Sequence, residues 1–127
     1  MTAKENAINW FEIPALDISR AKKFYETIFG ITMHQEEMMG MQMAGFPGEQ
    51  MSGKVSGALV QSPQHKPGTD GVKIYLNANP DLSLPLSRVE PAGGKVLLTK
   101  TKIADDIGFM AFFIDSEGNA MALHSTK

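Results

Sequence analysis

One stretch near the start of the chain, NWFEIPALDISRAKKFYETIFG at residues 9–30, constrains the fold more than any other. A short alternating segment that suits a strand is followed by an aspartate, an amphipathic segment and a glycine. Asp17 is of the residue type that caps helix N-termini, and Gly30 is of the type that ends helices in a left-handed conformation. Between them, apolar residues recur with the period of one helix face, which predicts a helix packed on a sheet. These apolar residues are Ala21, Phe24, Tyr25, Ile28 and Phe29.

A second unit of the same order runs over residues 72–94. After its strand, Asp81 or Ser83 is the predicted helix cap, and Pro85 fits only the first turn of a helix that ends near Pro91. Repetition of a strand–helix unit within one chain predicts a fold built from two similar modules.

Three further strands are predicted after each helix, because short apolar runs alternate with turn residues. The predicted strands are Ile8–Ala15, Ile31–Met38, Met41–Phe46 and Val55–Gln61 in the first half, and Val72–Ala78, Lys95–Thr99, Phe109–Ile114 and Ala120–Ser125 in the second. The sequence therefore predicts an α+β fold of two βαβββ modules, about 8–61 and 71–125. They are joined by a linker at 62–70 within one domain of residues 1–127.

Composition excludes several classes of function. A net charge of −2 argues against a nucleic-acid surface, which needs a basic stripe, and zero cysteines exclude disulfides and thiolate metal sites. The polar N-terminal segment does not resemble a signal peptide, and no apolar run is long enough to span a membrane. We therefore expect a cytoplasmic protein that contacts neither membranes nor nucleic acids.

Four segments together resemble the vicinal oxygen chelate superfamily, which includes glyoxalase I, bleomycin and fosfomycin resistance proteins and extradiol dioxygenases. They are FEIPALDISRAKKFYETIFGI at 11–31, VSGALV at 55–60, GVKIYLNANPDL at 71–82 and GFMAFFIDSEGNAMALHS at 108–125. The resemblance implies a cupped eight-stranded mixed sheet with helices on the outside, a small-molecule ligand within the cup and, commonly, a homodimer.

The resemblance also implies where a divalent metal would bind, on His, Glu or Gln residues of the first and last strand of each module. Those positions here are Trp10, Ala58, Lys73 and Ala122. An indole N–H only donates, an ammonium has no free lone pair, and alanine has no ligand atom. We therefore expect neither a metal nor another cofactor, and we disfavour metal-dependent chemistry.

Other residues on the same strand faces are candidates for ligand binding or catalysis. Glu12 shares a face with Trp10, because strand side chains alternate, so an aromatic surface and a carboxylate are expected to line the cup together. Lys73 and Tyr75 share a face of the fifth strand, where they suit an anionic or carbonyl ligand. Pairing of Glu12 with Lys73, as a structural ion pair, is the alternative interpretation.

The histidines and methionines leave more alternatives open. His124 shares the cup-facing side of the last strand with Ala122, and it is a candidate acid or base or else a partly exposed polar residue. A non-standard metal site of Glu12, His34 and His124 lacks supporting spacing. Met39, Met41 and Met43 alternate on one predicted face and suit apolar lining better than copper binding.

Three functions remain as hypotheses. The favoured one is a glyoxalase- or bleomycin-resistance-like protein that binds a small molecule in the cup without a metal. In that case Trp10, Glu12, Lys73, Tyr75, Ala122 and His124 form the binding site. The second is a lyase, an isomerase or a dioxygenase-type enzyme of the same superfamily, with Glu12, Lys73 or His124 as catalytic candidates. The third is a regulatory or interaction module with a vestigial pocket.

Overall fold

The computed structural model describes residues 1–49 and 51–127. Within these ranges the elements follow the predicted order, βαβββ and then βαβββ again. They are β1 (Trp10–Pro14), α1 (Ile18–Phe29), β2 (His34–Met38), β3 (Met41–Gly45), β4 (Ser56–Gln61), β5 (Tyr75–Asn77), α2 (Ser83–Val89), β6 (Lys95–Ala104), β7 (Gly108–Ile114) and β8 (Ala120–Ser125).

The strands form two mixed sheets with matching topology, β1-β4-β3-β2 and β5-β8-β7-β6. In each sheet the first strand pairs in parallel with the last strand of its module, and the other neighbours are antiparallel. The predicted α+β fold of two βαβββ modules is confirmed. In detail, backbone hydrogen bonds divide the eight strands into two four-stranded sheets, and β1 and β5 are both edge strands.

Some element boundaries differ from those predicted. The fifth strand is three residues long instead of Val72–Ala78, and α2 ends at Val89, two residues before Pro91. Strand β6 continues past Thr99 to Ala104, because its polar second half pairs with β7 in a long hairpin with irregular register.

The caps of α1 agree with the sequence prediction. Asp17 Oδ1 accepts hydrogen bonds from the backbone N–H groups of Ser19 and Arg20, both at 3.1 Å. Gly30 closes the helix with a φ of 63°, in the left-handed region where glycine is favoured. At the second helix the N-cap residue is Leu82, not Asp81 or Ser83 as predicted, although the neighbouring Asp81 carboxylate accepts from the Ser83 N–H at 2.8 Å.

Helix α1 contacts both sheets and so joins the modules. Its Phe24 ring lies 6.1 Å from the ring of Phe113 on β7, and its Tyr25 ring lies 5.5 Å from that of Phe46, which follows β3. Apolar residues of both helices and both sheets belong to one buried cluster. On the β1 sheet, the helices pack on the face opposite to Trp10 and Glu12. This agrees with the predicted place of the helices outside a cup.

A polar turn at residues 115–119, in the DSEGN segment, connects the second module to the start of the first. Its Asp115, Glu117 and Asn119 are all buried. Asp115 accepts a 2.8 Å hydrogen bond from the hydroxyl of Tyr25, which is fully buried. Burial and the nearby Asp115 charge raise the pKa of Tyr25 well above its ordinary value, so this hydroxyl keeps its proton.

The described part of the chain contains no helix of the length and apolarity that crossing a membrane requires.

The Tyr25→Phe substitution is expected to lower the free energy of unfolding by about 1–2 kcal/mol, because buried Asp115 loses a hydrogen-bond donor. Urea denaturation measures the change. Tyr75→Phe is the matched control: Tyr75 is the only other tyrosine of the chain, and it is half exposed. Equal stability of the two variants would contradict a structural role for the Tyr25 hydroxyl.

Candidate ligand-binding site

The first part of the candidate site lies on the face of the β1 sheet that points away from the helices. This face would line the predicted cup, and it is here called the outer face because it lies away from the helix layer. Trp10 and Glu12 project from this face, as their spacing predicts, and Trp10 Nε1 donates to Glu12 Oε2 at 3.2 Å. The Trp10 side of the face is open, because the residue is 51% exposed. Beside Glu12 the floor is apolar and buried, and it consists of Met43, Ala58 and Val60 with Met41 packed against them.

Glu12 has a second partner that sequence reasoning missed. The other carboxylate oxygen, Oε1, lies 2.8 Å from Nε2 of His65, and Nδ1 of His65 lies 2.7 Å from Oγ of Ser62. The hydrogen bond from His65, more than any other contact, holds the pKa of Glu12 below its ordinary value. Glu12 is therefore a carboxylate near neutral pH and accepts hydrogen bonds on both of its oxygens.

The register of the β1 sheet explains why His65 comes close to Glu12. Strand β4 runs parallel to β1 with Val60 opposite Pro14, so the chain passes the end of β1 at about Ser62. A turn closed by the His65 N–H and the Ser62 carbonyl at 3.2 Å then brings the imidazole to Glu12. The register is not visible in the sequence, where His65 falls in the predicted linker.

The second part of the candidate site lies on the outer face of the β5 sheet. The Lys73 ammonium lies 4.1 Å above the ring centroid of Phe112, and the Tyr75 ring meets the same ring edge-on at 6.1 Å. Ala122, which is buried, is the register partner of both Tyr75 and Phe112. Phe112 is therefore a site residue that the sequence did not reveal, since it is one of several aromatics in β7.

Two of the predicted pairings are not observed. Glu12 and Lys73 do not form an ion pair in the described structure, because they belong to different sheets and each has another contact. Met39 does not share a face with Met41 and Met43, because it lies in the turn between β2 and β3 with a φ of 53° and is almost fully exposed.

His124 lies on the outer face of the β5 sheet, as predicted, opposite Asn77 and Met110. Its Nε2 lies 2.8 Å from the backbone carbonyl of Ile107, so that nitrogen carries the proton. His34 is remote from it, on β2, and its Nε2 lies 3.9 Å from Glu36 Oε2. Within residues 1–49 and 51–127, no three His, Asp or Glu side chains are grouped in a way that suits a metal ion.

The four positions at which relatives of the predicted family hold a metal do not fit one here. Trp10 uses its indole N–H as a donor, Lys73 presents an ammonium to Phe112, and Ala58 and Ala122 have no ligand atom.

A cleft of about 760 Å³ separates the edge strands β1 and β5 on their helix side. Its walls are mainly apolar, with Phe11, Phe29, Phe46, Ile31, Ile74 and Leu84 among them. Two exposed apolar residues lie at this cleft, Ile8 at 54% and Leu84 at 57% exposure. Trp10, Glu12 and Lys73 do not line the cleft, but Tyr75 does, so the cleft adjoins the outer face of the β5 sheet at that residue.

Comparison with known proteins agrees with this fold. The family model described as bleomycin resistance protein-like N-terminal matches residues 8–48. A glyoxylase-like domain-containing protein of Didymella fabae is 32% identical over an alignment 126 residues long. The alignment covers 91% of each of the two chains. The chain belongs to the glyoxalase and bleomycin-resistance family of the vicinal oxygen chelate superfamily.

Other relatives of this glyoxalase-like chain are longer or more distant. The anthracycline biosynthesis protein DnrV of Streptomyces peucetius is 28% identical over 126 residues, which cover 90% of this chain but only 45% of that protein. A solved glyoxylase/bleomycin resistance protein/dioxygenase domain from Frankia sp. EAN1pec superimposes with a TM-score of 0.69 at 12% identity, covering 96% and 98% of the two chains. The latter similarity concerns the fold alone.

The His65→Ala substitution is expected to raise the pKa of Glu12 toward its ordinary value, because its strongest hydrogen bond is lost. Carboxyl NMR of glutamate-labelled protein measures the shift, with His124→Ala on the other sheet as the control. A depressed carboxylate pKa stabilises the fold above the unfolded-state pKa, and this stabilisation disappears as the pH falls through the folded-state pKa. The part of the stability difference between wild type and His65→Ala that depends on Glu12 should therefore shrink in acid. An unchanged Glu12 pKa in His65→Ala would contradict the contact.

Proposed function

We propose that this chain binds a planar aromatic small molecule on the outer faces of its sheets, without a metal ion. The observation that carries the proposal is the exposed ring of Trp10 beside a carboxylate whose hydrogen bonds fix its position. Indole is the aromatic side chain with the largest stacking surface, and ligand sites combine such surfaces with a few oriented polar groups.

The side chains on the outer face of the β5 sheet suit a ligand that carries an anionic group. Lys73 is exposed, and its contact in the structure is the face of Phe112, not a carboxylate. An aromatic ligand with a carboxylate or phenolate group would gain a charged hydrogen bond from Lys73 and edge contacts from Tyr75. Anthracyclines, which give the DnrV relative its name, are polycyclic aromatic compounds, and this supports the same class of ligand.

A homodimer is the second part of the proposal. Among the described residues, β1 and β5 are edge strands of their sheets, and the apolar cleft between them has exposed Ile8 and Leu84 beside it. Relatives such as DnrV are about twice as long as this chain, so one polypeptide of that kind has room for two such units.

Ligand binding is expected to quench the fluorescence of Trp10, which is the only tryptophan in the chain. A screen of planar aromatic acids by fluorescence and thermal shift should find ligands whose affinity falls about tenfold or more in Lys73→Ala and in Glu12→Ala. The first variant loses a charged donor, and the second loses the acceptor that orients the Trp10 indole. Lys95→Ala, an exposed lysine on β6, is the matched control. Unchanged affinity in both site variants would exclude this location.

Elemental analysis of the same preparation tests the metal-free part of the proposal. One equivalent of nickel, zinc or iron bound to the purified protein would contradict it.

The Leu84→Glu substitution is expected to convert a dimer into a monomer, because it introduces a charge into the apolar cleft. Sedimentation velocity measures the molecular mass. Leu97→Glu is the control, since Leu97 is similarly exposed but lies on β6, away from the cleft. A wild-type chain that sediments as a monomer at every concentration would refute the dimer.

A further inference from the structure

The hydrogen-bonded series Ser62–His65–Glu12 on the β1 outer face has the order of a nucleophile, a base and an orienting carboxylate. The two contacts measure 2.7 Å from Ser62 Oγ to His65 Nδ1 and 2.8 Å from His65 Nε2 to Glu12 Oε1. Such sets are recognised by the roles and distances of their members, because unrelated folds place them in different chain order.

The protons of this series can be assigned from the chemistry of its ends. Glu12 is ionised and only accepts hydrogen bonds, so the proton of the neutral imidazole lies on Nε2. Nδ1 is then a free base that faces the Ser62 hydroxyl. Gln64 Oε1 is a second possible acceptor for this hydroxyl, but it lies 3.4 Å away, so the shorter contact to His65 is favoured.

We propose that Ser62 Oγ is a nucleophile for acyl transfer from small activated carboxylic esters. His65 acts as the general base, and Glu12 is the positioning residue that fixes the His65 tautomer. Ser62 is half buried, so its hydroxyl remains within reach of solvent. Esters with an aromatic leaving group are the favoured substrate class, because the exposed Trp10 ring donates to the same carboxylate that orients His65.

The proposed step conserves atoms and charge. Oγ forms a bond to the ester carbonyl carbon as its proton moves to Nδ1 of His65. The tetrahedral intermediate then breaks the bond between that carbon and the leaving oxygen, and the phenolate takes the proton from the imidazolium. Water repeats the sequence in the second half-reaction, which releases the carboxylic acid and restores Ser62.

A purely structural role for Ser62 is the competing explanation. Its Oγ also accepts the backbone N–H of Gln64 at 3.2 Å, a contact typical of serine turns. Reactivity distinguishes the two roles, because a hydroxyl that only closes a turn gains no nucleophilicity from His65.

The first experiment treats the folded protein with p-nitrophenyl acetate and measures intact mass and peptide masses. We expect release of p-nitrophenolate that depends on Ser62, with the acetyl group trapped on Ser62 after acid quench. Both are lost in Ser62→Ala and are about 100-fold slower in His65→Gln, as loss of a general base predicts. Ser52→Ala, a change in an exposed loop, is the control and should acetylate like the wild type. Acetylation of lysines alone, with the same release of p-nitrophenolate in wild type and Ser62→Ala, would overturn the proposal.

The second experiment uses the lack of cysteine in the chain. In Ser62→Cys the new thiol is unique, and its alkylation by iodoacetamide should be at least about tenfold faster than in Ser52→Cys, because an adjacent base raises the thiolate fraction. Addition of Glu12→Gln should reduce this advantage at unchanged thermal stability. Equal alkylation rates in the two cysteine variants would overturn the proposal. Aromatic-acid binding is measured separately, so either proposal can fail alone.

Discussion

The rest of the structure depends on the hydrogen bonds that the buried carboxylates of the turn at 115–119 form with the first module. Glu117 Oε1 accepts the backbone N–H groups of both Leu16 and Asp17 at 2.8 Å, and its other oxygen is held by Arg20 at 2.7 Å. Burial alone would raise the pKa of Glu117, but the hydrogen bond from Arg20 together with the Asp17 N–H keeps the pKa below its ordinary value. A charged side chain of the second module therefore accepts hydrogen bonds from the backbone N–H groups at the junction of β1 and α1, which have no partner within the helix.

This arrangement explains why one helix can serve both sheets. Asn119 Nδ2 donates to the Pro14 carbonyl at 2.7 Å, so the end of β1 is held directly by the same turn that holds Tyr25 through Asp115. With β1 and α1 fixed against module two, the helix side of both sheets is buried in one cluster. The outer faces are left for Trp10, Glu12, Lys73 and Tyr75, which carry the proposed binding function.

The sequence predicts most of this fold because its local signals agree. The capping aspartate, the helical stripe and the terminal glycine of residues 17–30 all specify the same helix, and the repeated order specifies the second module. The alternation of β1 places Trp10 and Glu12 on one face correctly. These are contacts between residues within a few positions of one another, and short-range patterns determine them.

The missing parts of the site depend on contacts that are distant in sequence. His65 meets Glu12 across 53 residues, and Lys73 contacts Phe112 through the pairing of β5, β8 and β7. Such contacts follow from the register and sheet order, which a single sequence leaves open. For the same reason the alternative of a Glu12–Lys73 ion pair could not be decided from the sequence: strand alternation fixes the face on which each side chain lies but not which faces meet.

The linker between the modules is anchored at both of its ends, and this has a mechanical consequence. His65 ties its start to β1, while the Gly68 N–H donates to Asn119 Oδ1 and the Gly68 carbonyl accepts from Ala120 at the start of β8. Glu12 on β1 is thus connected, through His65 and the short segment to Gly68, to the turn at 115–119 that joins the two modules. A molecule that displaces Glu12 would therefore disturb a short segment whose other end is hydrogen-bonded to Asn119 in the second module.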